Sequence, residues 1–96
     1  MAYGVTHFFA GGTQEQYNAV IAAVHPDGGA SLPPGQTFHA AGASEGGWTI
    51  MVLHDSQASW EEFRDVTLVP RFERGIEGGF TAPPVETGFE AYNVQP

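Results

Sequence analysis

This chain has no cysteine and no lysine, and its three arginines stand against eleven acidic residues. Without cysteine there are no disulfides, no thiolate metal ligands and no cysteine nucleophile. A formal net charge of -8 makes nucleic acid a poor partner, because phosphate neutralisation needs clustered cations. An anionic membrane surface is disfavoured for the same reason. No apolar run approaches the ~20 residues that a membrane span requires. The opening Met1-Ala2-Tyr3-Gly4-Val5 lacks the basic start and apolar stretch of a signal peptide, so a cytoplasmic location is expected. Gly11-Gly12 and Gly78-Gly79 match neither a P-loop nor a dinucleotide fingerprint and read as hairpin and helix-entry glycines. No serine sits in a nucleophile elbow. Glu61 and Glu62 are adjacent on a helix and point apart, unlike the carboxylate pair of a glycosidase.

What is present is a packed globule. Hydrophobic residues make up 42% of the 96 positions, which argues against disorder. The length suits one domain spanning residues 1–96. Tyr3 to Ala10 alternates with period two and ends at Gly11-Gly12, which predicts a strand. Thr13-Gln14-Glu15-Gln16 then fits a capping box. Tyr17, Val20, Ile21 and Val24 follow as one buried helical stripe. The helix ends at His25, because a residue before proline disfavours the helical region, and His25 is expected to be solvated there. Asp27 to Gln36, rich in glycine and proline, reads as a loop.

Two strands follow, joined by a turn at Ser44 to Gly47. Asp55-Ser56 opens a second helical region, with a possible capping box at Ser59-Trp60-Glu61-Glu62. Trp60, Phe63 and Thr67 lie along one line of it. Pro70 breaks or kinks this helix, leaving a short turn before Gly75. Val85 to Val94 is the predicted last strand. The order βαββαβ implies an α+β, ferredoxin-like antiparallel sheet with two helices on one face.

The third strand, Trp48 to His54, is apolar on both faces. Two helices can shelter only one face of a sheet. The other face is expected to meet a second copy, giving a homodimer through the sheet.

The run His39-Ala40-Ala41-Gly42, then Gly46-Gly47-Trp48, His54-Asp55-Ser56, Trp60, Phe63, Leu68 and Pro70 resembles small members of the dimeric α+β barrel superfamily. The antibiotic-biosynthesis-monooxygenase-like group is the part it is most similar to, and the resemblance spans Tyr3 to Val94. It implies a homodimeric barrel and, in each subunit, a pocket between sheet and helices where active members bind aromatic or polyketide-like molecules. Haem-cleaving relatives of this fold carry an asparagine on the first strand and a tryptophan and a histidine on the second helix. The equivalent positions here look like His7, Phe63 and Glu73, so the resemblance does not extend to an axial haem ligand.

Several side chains are candidates for chemistry. His7 interrupts an otherwise apolar strand, and a buried polar group needs a partner. Imidazole titrates near neutrality, so His7 is the candidate acid/base, with His39 as helper. His54 approaches His7 if the two share a sheet face. Trp60, Phe63, Phe72, Tyr17 and Trp48 are candidate pocket aromatics, meeting the small residues Ala40, Gly42 and Ala43, and Tyr92 is placed beside them. Arg71 is a candidate for facing an acidic group on a ligand, whereas Arg64 reads as a surface pair with Glu61 or Asp65. No metal site and no cofactor are expected. The resulting expectation is a cofactor-independent enzyme, of monooxygenase or cyclase/isomerase type, on a small aromatic or polyketide-like substrate. A non-catalytic small-molecule binder and a structural dimer are the alternatives.

Overall fold

A computed structural model describes residues 1–95. Its elements are β1 (Tyr3–Ala10), α1 (Gln14–Val24), β2 (Gln36–Ser44), β3 (Gly47–His54), α2 (Gln57–Phe63), α3 (Val69–Arg74) and β4 (Val85–Glu90). The four strands form one antiparallel sheet in the order β2-β3-β1-β4. This is the ferredoxin-like α+β architecture that the element order predicted.

Parity sets the two faces. Val5, His7 and Phe9 of β1 and Trp48, Ile50, Val52 and His54 of β3 are all buried, and they point toward the helices. Alternate positions such as Met51 and Leu53 point the other way. The core is Val5, Phe9, Trp48, Ile50, Val52 and Trp60, with Tyr17, Phe63, Leu68 and Phe80 packed on it. Helix α1 supplies Val20 and Val24. It is capped as expected, with Thr13 Oγ1 accepting from the Gln16 amide and Gln16 Oε1 accepting from the Thr13 amide. Between β2 and β3, Gly46 takes the left-handed turn position at φ 83°, which glycine adopts without steric cost.

Four local expectations are corrected. The second helix opens at Asp55-Ser56 as expected, but no capping box forms at Ser59: Ser56 is the N-cap, accepting from the Ser59 amide at 3.1 Å. The Ser59 hydroxyl is instead committed to the Ser56 carbonyl. Residues Pro26–Gly29 form a 3-10 turn inside the expected loop. The last strand stops at Glu90, opposite Tyr3 at the start of β1; one further backbone bond, from the Ala91 amide to the Ala2 carbonyl at 2.8 Å, ends the pairing. The distortion around Pro70 appears upstream, as a π-helical stretch over Arg64–Leu68 joining α2 to α3. Pro70 has no amide to donate, and the preceding Val69 amide reaches back five residues to the Arg64 carbonyl.

The outer sheet face carries Phe38, Met51 and Phe89, exposed by 50%, 43% and 47%. No helix of the described residues covers them, and none is long and apolar enough to cross a membrane.

Candidate functional site

Strand register builds the first half of the site. His7 lies directly opposite Glu86 on β4, and its Nε2 is 3.0 Å from Glu86 Oε1. A neutral imidazole donates Nε2–H to the carboxylate, which leaves Nδ1 as a bare acceptor. Among the described residues His7 makes no other side-chain hydrogen bond, and its Nδ1, unlike Trp48 Nε1, is not sealed in protein but opens on the cavity. Burial pushes the His7 pKa below its ordinary value, and the Glu86 hydrogen bond and charge pull it partly back. The ring is therefore neutral at pH 7 and held in one orientation.

A β-bulge builds the second half. Gln36 pairs with His54, but Phe38 pairs with Leu53, so β2 carries one extra residue at Thr37. Gln36 and His39 are three apart and would otherwise face opposite sides; the bulge turns both toward the helices. A directed chain of hydrogen bonds follows. The Tyr17 hydroxyl donates to His39 Nε2 at 2.6 Å, and His39 Nδ1–H donates to Gln36 Oε1 at 2.9 Å. The Gln36 amide donates to His54 Nε2 at 3.3 Å, and His54 Nδ1–H donates to Ser59 Oγ at 3.1 Å. Every donor in this chain meets an acceptor, so both imidazoles are locked as neutral tautomers. Burial lowers both pKa values and raises that of Tyr17.

Trp60 links the two halves. Its ring lies 5.6 Å from the His7 ring and 5.6 Å from the His54 ring, centroid to centroid. It is 3% exposed and forms the floor of a cavity of about 410 Å³ between sheet and helices. The walls are mainly apolar, with Phe9, Val24, Ile50, Phe63 and Phe72 among them. His7, His25, Gln36, His39, Arg64, Glu73 and Glu86 supply the polar points. Such a space accommodates a small organic ligand fixed by a few polar groups. Among the described residues, no group of three or more histidine or acidic side chains converges as a metal site.

No family model matches this chain, and no curated protein does. Solved structures do. Rv0793 from Mycobacterium tuberculosis superposes with a TM-score of 0.70 at 14% identity, covering 100% of both chains. A candidate antibiotic biosynthesis monooxygenase from Chloroflexus aurantiacus J-10-fl gives 0.67 at 14% identity, covering 100% of this chain and 98% of that one. The chain has the fold of the antibiotic-biosynthesis-monooxygenase-like proteins. A variant of SnoaB, a cofactor-independent oxygenase from Streptomyces nogalater, shares it with a TM-score of 0.61 at 14% identity over 99% and 96% of the two chains. At this identity the likeness concerns the fold.

Within that fold the predicted residues divide. His7, His39, Trp60 and Phe63 line the cavity, although both nitrogens of His39 are already engaged. Three placements are corrected. His54 shares the helix-facing side with His7 but packs edge-on against Trp60, fully buried and outside the lining. Tyr92 is 96% exposed beyond the end of β4, past the last backbone bond of that edge, from Ala91 to Ala2. Arg71 turns to the helix end, donating from Nη1 to the Gly75 carbonyl at 2.7 Å, where a cation suits the dipole. Arg64 does pair with Asp65, through two hydrogen bonds of 2.8 and 3.2 Å, but it also borders the cavity. Of the aromatics, Phe72 joins the lining while Tyr17 and Trp48 lie outside it. The small residues Ala40 and Gly42 point to the outer face, paired with Met51 and Thr49.

Several lining residues were not foreseen as such, Gln36 and Glu73 among them; Glu86 and His25 matter most. Glu86 could be found only by aligning β4 with β1, a pairing across 79 positions. His25 was expected in solvent, yet it is only 9% exposed. Its extended φ/ψ before Pro26 swings the ring off the helix and into the wall.

Proposed function

We propose that this protein is a cofactor-independent enzyme that removes a proton from a small hydroxylated aromatic or polyketide-like molecule held in the cavity. The observation that carries this reading is the His7–Glu86 pair, which presents a bare imidazole nitrogen at an apolar cavity wall. His7 Nδ1 takes a phenolic or enolic proton, and Glu86 stabilises the imidazolium that forms. The electron-rich enolate then reacts with dioxygen, in an oxygenase, or with a carbonyl of the same molecule, in a cyclase. Exclusion of water by Trp60, Phe63 and Phe72 strengthens these interactions. The shared fold with a cofactor-independent oxygenase supports the oxygenase branch.

Aerobic incubation with anthrone-like and hydroxynaphthalene substrates tests the reading. Oxygen uptake, with label from isotopic dioxygen in the product, is the expected result. An isomerised product without oxygen uptake would assign the cyclase branch instead. Tight binding with no conversion of any such compound would reduce the cavity to a binding site and sink the enzymatic reading.

We also propose that a second copy of the chain covers the outer sheet face. Phe38, Met51, Leu53 and Phe89 line a depression of about 220 Å³ there, and exposed apolar area of this kind marks an interaction surface. Sedimentation should give a particle of twice the 10.2 kDa chain mass. Met51→Glu, which places two like charges in the seam, should shift it to the single-chain mass at micromolar concentration. A wild-type particle of single-chain mass would remove the proposal.

A further inference from the structure

His25 is the one cavity histidine that neither half of the site employs. Its ring stands edge-on to His39 at 4.9 Å and to Phe63 at 6.1 Å between centroids, so it is wedged in place. It is about nine-tenths buried and belongs to the cavity lining. Among the described residues its imidazole makes no side-chain hydrogen bond. Only the Ser31 backbone lies near enough to favour a proton on one nitrogen. The other nitrogen is then a bare acceptor in an apolar wall. That nitrogen is not sealed in protein, since the only such unpartnered atom among the described residues is Trp48 Nε1; it opens on the cavity, where a ligand donor can reach it.

We propose that His25 is a second anchoring point of the cavity, accepting a hydrogen bond from a hydroxyl of an uncharged aromatic ligand that carries at least two hydroxyls. This rests on the reading of the cavity as a substrate site and specifies which substrates fit. His7 Nδ1 and the free His25 nitrogen are both acceptors, so each calls for a ligand donor. A hydroxyl supplies one; a carboxylate supplies none at neutral pH. Glu73 and Glu86 add negative charge at the same walls, and Arg64 is already held by Asp65. The pKa of His25, brought down to about 4 chiefly by burial and secondarily by the neighbouring His39, keeps this acceptor unprotonated at neutral pH. The cavity therefore selects polyhydroxylated rings over monohydroxylated ones and over aromatic acids.

Binding without turnover tests this, using tryptophan fluorescence or calorimetry in the absence of oxygen. The probes are the dihydroxynaphthalene isomers, 2-naphthol and 2-naphthoate. At least one diol should bind about tenfold more tightly than 2-naphthol, a difference of about 1.4 kcal/mol, and 2-naphthoate should bind more weakly than either. His25→Phe keeps the edge-on packing but removes the acceptor, and it should bring the diol to within about twofold of 2-naphthol. His25→Gln retains an acceptor oxygen and should restore the preference. On the wild-type protein, the imidazole nitrogen resonance of His25 should move when the diol binds. That measurement stands even where a variant does not fold.

A diol preference that survives in folded His25→Phe overturns the assignment, as does a silent His25 resonance or equal binding of 2-naphthoate. Failure of every diol to outbind 2-naphthol on the wild type does the same. If the diol preference appears and depends on His25 while no compound is converted, the anchor is supported and the catalytic reading alone fails.

Discussion

His7→Ala is expected to lower turnover of a hydroxylated aromatic substrate by about 10²- to 10⁴-fold, the range that a positioned general base contributes. The loss should fall on kcat more than on KM, because the apolar walls that hold the ring are untouched. His7→Asn, which keeps a polar side chain opposite Glu86 but supplies no base, should be nearly as inactive. The sign of the pH dependence follows from the burial of His7. Only the neutral ring can accept a proton, and its pKa lies below the ordinary 6.5. Activity should therefore sit on a plateau at pH 7 to 8 and fall on acidification, with its midpoint below 6.5. Glu86→Gln removes the charge that favours protonation, so it should move that midpoint further down and weaken the base. Full activity in His7→Ala would remove His7 from the mechanism.

The second large effect concerns stability. Trp60 is 3% exposed and packs against both polar systems, its ring 5.6 Å from the ring of His7 and from that of His54. Truncating a buried tryptophan typically costs about 3–5 kcal/mol, from lost transfer free energy and an unfilled hole. In a chain of this size each kcal/mol is worth roughly 4–8 °C in melting temperature. Trp60→Ala is therefore expected to melt at least 10–15 °C lower, by roughly that scaling, and to lose the rigid floor beneath the cavity. Trp60→Phe retains most of the buried ring and should lose much less. Both comparisons belong at one protein concentration, since the proposed dimer would make stability depend on it. A Trp60→Ala protein with an unchanged melt would show that the histidine rings are positioned without the indole.

The contrast between these residues and the misplaced ones shows where the sequence carries information. Trp60 was legible because its spacing with Phe63 places it on one helical face, and His7 because it interrupts the apolar parity of β1. Tyr92 and Arg71 lie at the ends of elements, where periodicity stops and only residue type hints at a role. There the last β1 partner of β4 and the nearest free carbonyl settle the outcome. The break of the helix at His25 before proline is legible in the sequence; the direction its ring takes is not.

Parity, helical spacing, capping residues and breaker prolines act over a few positions, so the chain by itself determines β1, α1, the two-faced β3 and the ferredoxin-like order. Register between distant strands is another matter, since it is chosen by the summed packing of whole segments. Only the tertiary structure set Glu86 against His7. It alone used the extra residue at Thr37 to bring Gln36 and His39 to one side, and turned the His25 ring into the cavity. One step of register moves every side chain of a strand to the opposite face, and for that reason the fold was readable and the chemistry of its site was not.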